Sequence, residues 1–355
     1  MTGETLYLRP VGLLYGDVAE AAVVEGMALP LAGGPIAFAV AELIEGVPGK
    51  AKRRLFTARS LAESRNDDLT ALLNRVTAKR RPFAGLALDR PVLMGIVNVT
   101  PDSFSDGGLF DTKEAAIAQA AELAAAGAAI VDIGGESTRP GSDPVEESEE
   151  AARVVPVIAG LRGLSAVVSV DTRKASVARE AARKGAKILN DVSALTYDPR
   201  CLHVAVEAGL SLVLMHAQGE PKTMQDDPRY DDVVLEVFDY LEARIEAAEA
   251  AGIDRSRIAA DPGLGFGKTL VHNLALLAHT SLFHGLGVPL IIGASRKRFI
   301  QGVSGGPEPR AREPGSHAAT IAAAAQGAQI LRVHDVAGTS QALAVWRAAS
   351  FGTEN

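Results

Sequence analysis

In eight places along this chain a short apolar run stops abruptly at residues able to hold a ligand. The run Val92–Val97 ends at Asn98 and a loop, Asn98-Val-Thr-Pro-Asp-Ser-Phe-Ser-Asp-Gly-Gly108, that carries two aspartates, an asparagine and three hydroxyls but one aromatic. A simple connector needs far less hydrogen-bonding capacity. The run Ala129–Ile133 contains Asp132 and leads into Gly134-Gly-Glu-Ser-Thr-Arg-Pro-Gly141; Val167–Val170 leads to Asp171-Thr-Arg173, and Ile188–Leu189 to Asn190-Asp191. Leu210–Met215 is followed by His216, Ile258–Ala260 by Asp261, Leu290–Ile292 by Ser295-Arg-Lys297, and Ile330–Val333 by His334-Asp335, with Arg332 inside it.

These residue types divide by chemistry. Arg139, Lys297, Arg332 and His334 supply positive charge and fork-like donors suited to a phosphate or diphosphate. Asn98 and the nearby carboxylates are hard oxygen ligands of the kind Mg2+ takes alongside diphosphate oxygens. Asp171, Asn190 and Asp261 are acceptors at strand ends, fitted to a planar heterocycle that presents a ring N–H beside an amino group. Taken singly, each has a plain explanation: Asp171 as a helix cap, Asn190-Asp191 as turn chemistry, His216 as a hydrogen-bonded core histidine. Stability alone does not call for all of them at the same place in eight repeats.

The elements that must position them alternate. Between the apolar runs lie segments with helical spacing, such as Lys113–Ala126, Glu146–Leu161, Lys174–Lys184, Val233–Ala251 and His317–Ala325. Gly127, Gly185, Gly209, Gly252 and Gly327 stand just past them, as helix C-caps do. Eight strand–helix alternations over roughly 260 residues predict a (β/α)8 TIM barrel, whose strands aim their C-terminal ends at one face. A doubly wound sheet lacks support because no glycine fingerprint follows the first strand. The tract Gly263-Leu-Gly-Phe-Gly-Lys-Thr269 resembles a phosphate loop but fails its spacing, since the first required glycine falls on Pro262. Residues 1–85 read differently from 86–355: strand-like pieces broken by Gly33-Gly34-Pro35, then a helical pattern from Arg54 to Ala78 with Leu61, Leu69, Leu72, Leu73 and Val76 apolar. They form an N-terminal extension or small accessory domain without a catalytic motif.

Composition narrows the class. With 47% hydrophobic and 22% charged residues the chain affords a large core, and only 5% aromatics favours helix-on-sheet packing. A net charge of −7 and a sequence pI near 5.6 argue against nucleic-acid binding, leaving Lys79-Arg80-Arg81 as solvated surface. Cys201 is the one cysteine, so it is read as a packing residue. No apolar run approaches the ~20 residues that span a bilayer, and a cytoplasmic protein without membrane association is expected.

Read together, Met94–Gly108, Asp132-Ile-Gly-Gly-Glu-Ser-Thr-Arg-Pro-Gly141, Ser169-Val-Asp-Thr172, Asn190-Asp-Val-Ser193, Met215-His216 with Gln218-Gly219, Asp261-Pro-Gly-Leu-Gly-Phe-Gly-Lys268, Ser295-Arg-Lys297 and Arg332-Val-His-Asp-Val336 closely resemble the dihydropteroate synthases, in that family's order. The resemblance covers about residues 90–350. It implies condensation of 6-hydroxymethyl-7,8-dihydropterin diphosphate with 4-aminobenzoate to 7,8-dihydropteroate and diphosphate. It further implies pterin binding by Asp171, Asn190, Asp261 and Lys297, a substrate contact for Phe266, and Thr138, Arg139 and Ser295 near the aminobenzoate and diphosphate. Asn98 would bind Mg2+, Arg332 and His334 would grip the leaving diphosphate, and Asp171, Lys297, Arg332 and His334 would form the catalytic set. The loops after the first two strands are expected to close over the site. A homodimer and sulfonamide inhibition are also implied. Ala217 replaces a common methionine and Leu264 a frequent phenylalanine, which affects pocket shape without removing a charged group.

Two rivals share the fold. A methyl-folate:corrinoid methyltransferase would use the Asp171, Asn190 and Asp261 edge but has no use for the Asn98 loop or the Arg332-x-His334 pair. A non-catalytic pterin-binding paralogue would be expected to lack one of Asn98, Arg139, Lys297, Arg332 or His334, and all are present. For the extension, a structural or oligomeric role is preferred to an accessory flavin-assisted reduction, which no motif supports.

Overall fold

The computed structural model describes residues 5–100, 109–137, 142–219 and 222–353, and of 109–112 the backbone alone. The N-terminal region comprises β1 (Leu6–Leu14), α1 (Gly16–Val24), β2 (Leu29–Pro30), β3 (Ala37–Glu45), β4 (Lys52–Thr57), α2 (Ala58–Ala62) and α3 (Asp67–Thr77). Strand β1 runs antiparallel along one edge of β3, and β2 and β4 share the other edge. Leu8, Leu31, Phe38, Leu61, Leu72 and Val76 form a core of its own.

Here the structure corrects one expectation. The segment Arg54–Ala78 is not one helix, because Arg53 and Arg54 pair in register with Ile44 and Leu43 as part of an edge strand. Charged residues suit such an edge, which must not recruit another strand. Two helices follow, each with its own cap: Thr57 Oγ1 accepts from the Ser60 N–H at 3.2 Å, and Asn66 Oδ1 from the Leu69 N–H at 2.9 Å. The apolar set Leu61, Leu69, Leu72, Leu73 and Val76 is buried as its spacing requires.

From residue 92 the chain alternates strictly at first: β5 (Val92–Asn98), α4 (Leu109–Ala125), β6 (Ala128–Gly134), α5 (Glu147–Gly160), β7 (Val167–Asp171), α6 (Ala175–Lys184), β8 (Ile188–Asp191), α7 (Arg200–Ala208), β9 (Ser211–Met215), α8 (Val233–Ala250), β10 (Ile258–Asp261) and α9 (Leu270–Ala278). A 3-10 segment at Thr280–Leu286 precedes β11 (Ile291–Ile292), and two helices, α10 (Arg298–Ser304) and α11 (Glu313–Ala324), separate it from β12 (Ile330–Val333) and α12 (Val336–Phe351). All eight strands are parallel in the order β10-β9-β8-β7-β6-β5-β12-β11, as helical crossovers demand. The Ala260–Leu290 bridge joins the two ends of that order, with the Ala260 N–H donating to Pro289 O at 2.9 Å. The expected (β/α)8 barrel is what forms.

Period-two alternation sorts each strand into an outer and an inner face. Leu93, Val97, Val131, Ile133, Val168, Val170, Leu212, Leu214 and Leu331 pack outward into the main core against the helices. Inward, Met94, Ile130, Ile188, Val213, Ala259, Ile291 and Ile330 meet around Phe83, which the segment following α3 inserts as a fully buried plug. One or two steps further along the same inner faces, the residues turn polar: Asp132, Ser169, Asp171, Asn190, Asp261 and Arg332.

The N-terminal region docks on the outside of this barrel. Tyr7 packs edge-on against Phe238 of α8, with centroids 5.3 Å apart, and its hydroxyl donates to Asp239 at 2.8 Å. Arg75 pairs with Glu242 at 3.0 Å, Ser281 Oγ donates to Pro10 O at 2.8 Å, and Tyr15 donates to Ala325 O at 2.7 Å. None of the described helices is long and apolar enough to cross a membrane.

Candidate active site

The polar inner faces assemble around one guanidinium. Arg332, on β12, donates from Nε to Asp132 Oδ2 and from Nη2 to Asp171 Oδ2, both at 2.7 Å. Asp132 is fully buried on β6 and accepts in addition from Ser169 Oγ at 2.6 Å and Asn190 Nδ2 at 2.9 Å. With its amide nitrogen committed to Asp132, Asn190 presents its oxygen the other way. Asp132 is therefore the hub that fixes Arg332 and Asn190 together. The sequence shows Asp132 near a strand end but offers no role for it, since its partners lie up to 200 residues away.

Across the barrel, Asp261 ends β10 and accepts from the Gly263 N–H at 2.7 Å. Lys297 reaches over the same turn: its ammonium donates to Leu264 O and stands 4.7 Å from the centre of the Phe266 ring. Two glycines lie beside these groups. A Cβ at Gly293 would stand 3.9 Å from Lys297 Nζ and 3.7 Å from Arg332 Cβ; one at Gly134 would stand 3.7 Å from Asp171 Oδ2 and 3.8 Å from Asn98 Oδ1. Ser295 Oγ and His334 Nδ1 are 3.0 Å apart, and the His334 N–H donates back to Ser295 Oγ at 3.3 Å. Between Ser295 and Lys297, Arg296 adopts a left-handed φ of 61°, a strained choice for a residue with a side chain. Its amide donates to Ser316 Oγ and its carbonyl accepts from Arg312, so that turn, which carries both flanking side chains, is held from two sides.

Burial and charge shape the protonation of this set. Burial raises the Asp171 carboxyl above the usual range, with Arg332 opposing and Asp132 adding to the rise. Burial likewise raises Asp261, against the opposing charge of Lys297. Lys297 is depressed to about 8 by burial, which Asp261 resists and Arg332 reinforces. Arg332 stays firmly charged, because Asp132 and Asp171 outweigh its desolvation.

The Gly263–Lys268 tract that imitates a phosphate loop has a different purpose. A Cβ at Gly263 would lie 1.9 Å from His216 O and one at Gly267 2.3 Å from Gln218 O, and both residues have positive φ. The glycines are there because the turns after β9 and β10 touch backbone to backbone. Lys268, from the same tract, is buried against His216. Cys201 is fully buried and its thiol is raised by burial, as a packing residue's would be.

Of the residues the sequence singles out, Asp171, Asn190, Asp261, Phe266, Ser295, Lys297, Arg332 and His334 thus come to the C-terminal end of the barrel, with Asn98 at the end of β5 beside Gly134. Thr138 and Arg139 lie outside the described residues, as does most of the loop that follows Asn98. The segments flanking Thr138 and Arg139 are firmly tied. Glu136 pairs with Arg173 at 3.3 Å and with the buried Lys174 at 3.1 Å, and it accepts from the Val145 N–H at 3.1 Å. Lys174 also reaches Glu150, and Arg153 donates to Gly135 O at 2.7 Å.

Comparison with known proteins identifies the family. A family model described as "Pterin binding enzyme" matches residues 94–334. Dihydropteroate synthase of Escherichia coli K12 is 48% identical over 272 residues, which is 76% of this chain and 95% of the relative. The structure of Xanthomonas albilineans dihydropteroate synthase with 4-aminobenzoic acid is 51% identical, with a TM-score of 0.71 over 75% of this chain and 96% of its own. The complex of the enzyme from the same organism with 7,8-dihydropteroate is 48% identical, with a TM-score of 0.68 over 74% and 95%. The chain belongs to the dihydropteroate synthases, the pterin-binding family of transferases.

Proposed function

We propose that the polar floor of this barrel is the pterin half of a dihydropteroate synthase site and that its mouth is the diphosphate half. The reaction joins 6-hydroxymethyl-7,8-dihydropterin diphosphate to 4-aminobenzoate, releasing diphosphate. One observation supports the placement: Asp171, Asn190, Asp261, Lys297 and Arg332, drawn from five strands or their ends, gather at one end of the barrel, with Arg332 bonded to Asp171, Asp132 joining Arg332 to Asn190, and the Lys297 and Arg332 charges both acting on Asp261. The acceptors Asp171 and Asp261 meet the ring N–H and amino donors of a pterin, the Asn190 oxygen takes a third, and Phe266 with Lys297 covers its face. Ser295 and His334, bonded to each other after β11 and β12, are assigned to the aminobenzoate and diphosphate, a role the family resemblance also gives to Thr138 and Arg139.

An aromatic amine is a weak nucleophile, so the barrier lies in departure of diphosphate from the pterin's exocyclic methylene. The C–O bond breaks with its electron pair on diphosphate, the amine nitrogen closes on the methylene carbon, and the amine proton leaves to solvent. Carboxylates at Asp171 and Asp261 favour the positive charge developing on the pterin; Arg332, Lys297 and His334 favour the negative charge leaving it. No covalent enzyme intermediate is needed. The Asn98 oxygen, at the end of β5 and on the same side of Gly134 as Asp171 Oδ2, is a hard ligand of the kind that would hold a cation such as Mg2+. When bound, Mg2+ neutralises diphosphate charge.

Residues 1–85 are assigned a structural role and 86–355 the catalytic one, because Tyr7, Arg75 and Tyr15 are bonded to the barrel's outer helices and to α11's end rather than to the strand ends. A homodimer is expected to use the exposed Leu270, Val271 and Leu274 of α9 together with Val303 of α10, which light scattering of Val271→Glu would test by yielding a monomer. A cytoplasmic site of action accompanies this reading. The decisive assay for the reaction supplies the pterin diphosphate, labelled 4-aminobenzoate and Mg2+, with and without EDTA. Metal-dependent dihydropteroate is the expected result; pterin binding without product would favour the methyltransferase or the non-catalytic reading.

A further inference from the structure

Lys268 is 3% exposed and, among the described residues, has no carboxylate within ion-pair distance, an expensive position for an ammonium. Its nitrogen instead contacts three acceptors: His216 Nδ1 at 2.8 Å, Phe266 O at 2.9 Å and His216 O at 3.3 Å. An ammonium has three protons to give, and the three acceptors match them. His216 directly follows β9, and Phe266 lies in the turn after β10, so one side chain ties two strand ends together. Around this tie, Gly263 is pressed on His216 O, while its N–H holds Asp261. Gly265 lies 3.2 Å, as a hypothetical Cβ, from Lys297 Cδ; Leu264 O and the Phe266 ring receive the Lys297 ammonium. Asn273 clamps the far end, its Oδ1 accepting from the Gly265 N–H and its Nδ2 donating to Lys268 O.

We propose that Lys268 is a positioning residue for the pterin: it locks the turn 263–268 onto His216, and that turn sets where Asp261, Phe266 and Lys297 stand. It need not touch the substrate. The clamp requires a neutral His216 whose Nδ1 accepts, which places the ring proton on Nε2. Burial first and the neighbouring Lys268 second push His216 toward the neutral form, and burial with the Lys297 charge also lowers the Lys268 ammonium well below its ordinary value, against the pull of Asp261; the rings of Tyr240 and Tyr230 pack 4.8 and 6.0 Å from His216. A neutral lysine receiving a proton from Nδ1 is the alternative arrangement, and the two differ in tautomer.

The inference rests on the pterin lying on the floor described above. Two measurements test it. In wild-type protein labelled with 15N-histidine, His216, assigned by its loss in His216→Gln, should remain the neutral Nε2–H tautomer from pH 6 to 9. An Nδ1–H tautomer or a titration near 6.5 would overturn the clamp, and this arm needs no Lys268 variant to fold. In kinetics, Lys268→Met should raise KM for the pterin diphosphate about tenfold or more while KM for 4-aminobenzoate stays within about twofold. An unchanged pterin KM, or equal rises for both substrates, would reject the positioning role. Asp261→Asn serves as the control: if it loses pterin affinity while Lys268→Met does not, Lys268 alone is misassigned, and if neither does, the floor itself is.

Discussion

The two ends of the barrel interior are built by the same strands and could hardly differ more. At the bottom, Met94, Ile130, Ile188, Val213 and Ile330 close around Phe83 in an apolar plug. A residue or two further up the same inner faces, Asp132, Ser169, Asn190, Asp171, Asp261 and Arg332 replace them, and Asp132 is as deeply buried as any of the plug. Strand geometry alone cannot explain the change, because alternation delivers both sets inward equally. The lower end holds the barrel closed. The upper end carries carboxylates and cations that would be costly if unpaired, and it tolerates them by pairing Asp132 and Asp171 with Arg332.

The comparison breaks most visibly at the plug. Phe83→Ala should cost about 3–5 kcal/mol of stability in urea denaturation, yet leave pterin affinity of the folded protein near wild type; a selective loss of affinity would show that plug and floor are not separate. Arg332→Met acts at the other end. It should lower kcat/KM by about 100-fold or more and weaken the bare pterin too, because Asp132 and Asp171 would be left facing each other without their cation. A role confined to gripping diphosphate, as the sequence alone implies, would instead leave calorimetric binding of the bare pterin intact.

The floor should also have a pH signature that the plug lacks. Lys297 is depressed from 10.5 to about 8, so within that window the unfolded chain holds a proton that the folded chain has released. The contribution of this group to stability therefore rises with pH across the window, whereas pterin affinity that depends on the ammonium falls. Opposite slopes that both vanish in Lys297→Met are expected; parallel slopes would contradict the assignment. The smallest effect belongs to the N-terminal dock. Tyr7→Phe removes a bond to Asp239 and should cost about 1 kcal/mol in denaturation, with steady-state constants unchanged.

What the sequence reveals follows from how local each cause is. Strands appear as apolar runs, and strand-end residues such as Asp261 and Lys297 follow them directly, so the barrel and most of its polar ring are legible. Asp132 is not, because it sits inside an apolar run and its meaning comes from Arg332, Asn190 and Ser169 on three other strands. The purpose of Gly263 and Gly267 is hidden as well, since it arises from His216 and Gln218 on a neighbouring turn. The segment Lys52–Thr57 misleads for the opposite reason: its charges suit a solvated helix or an edge strand, and only pairing with β3 decides.

The most direct test of the central claim is calorimetric titration of a non-reactive pterin, 6-hydroxymethylpterin, into wild type and Asp261→Ala. The account predicts that the variant binds about 100-fold more weakly or worse, through loss of a charged hydrogen bond at the floor. Wild-type affinity in a folded Asp261→Ala protein would contradict it and move the pterin elsewhere.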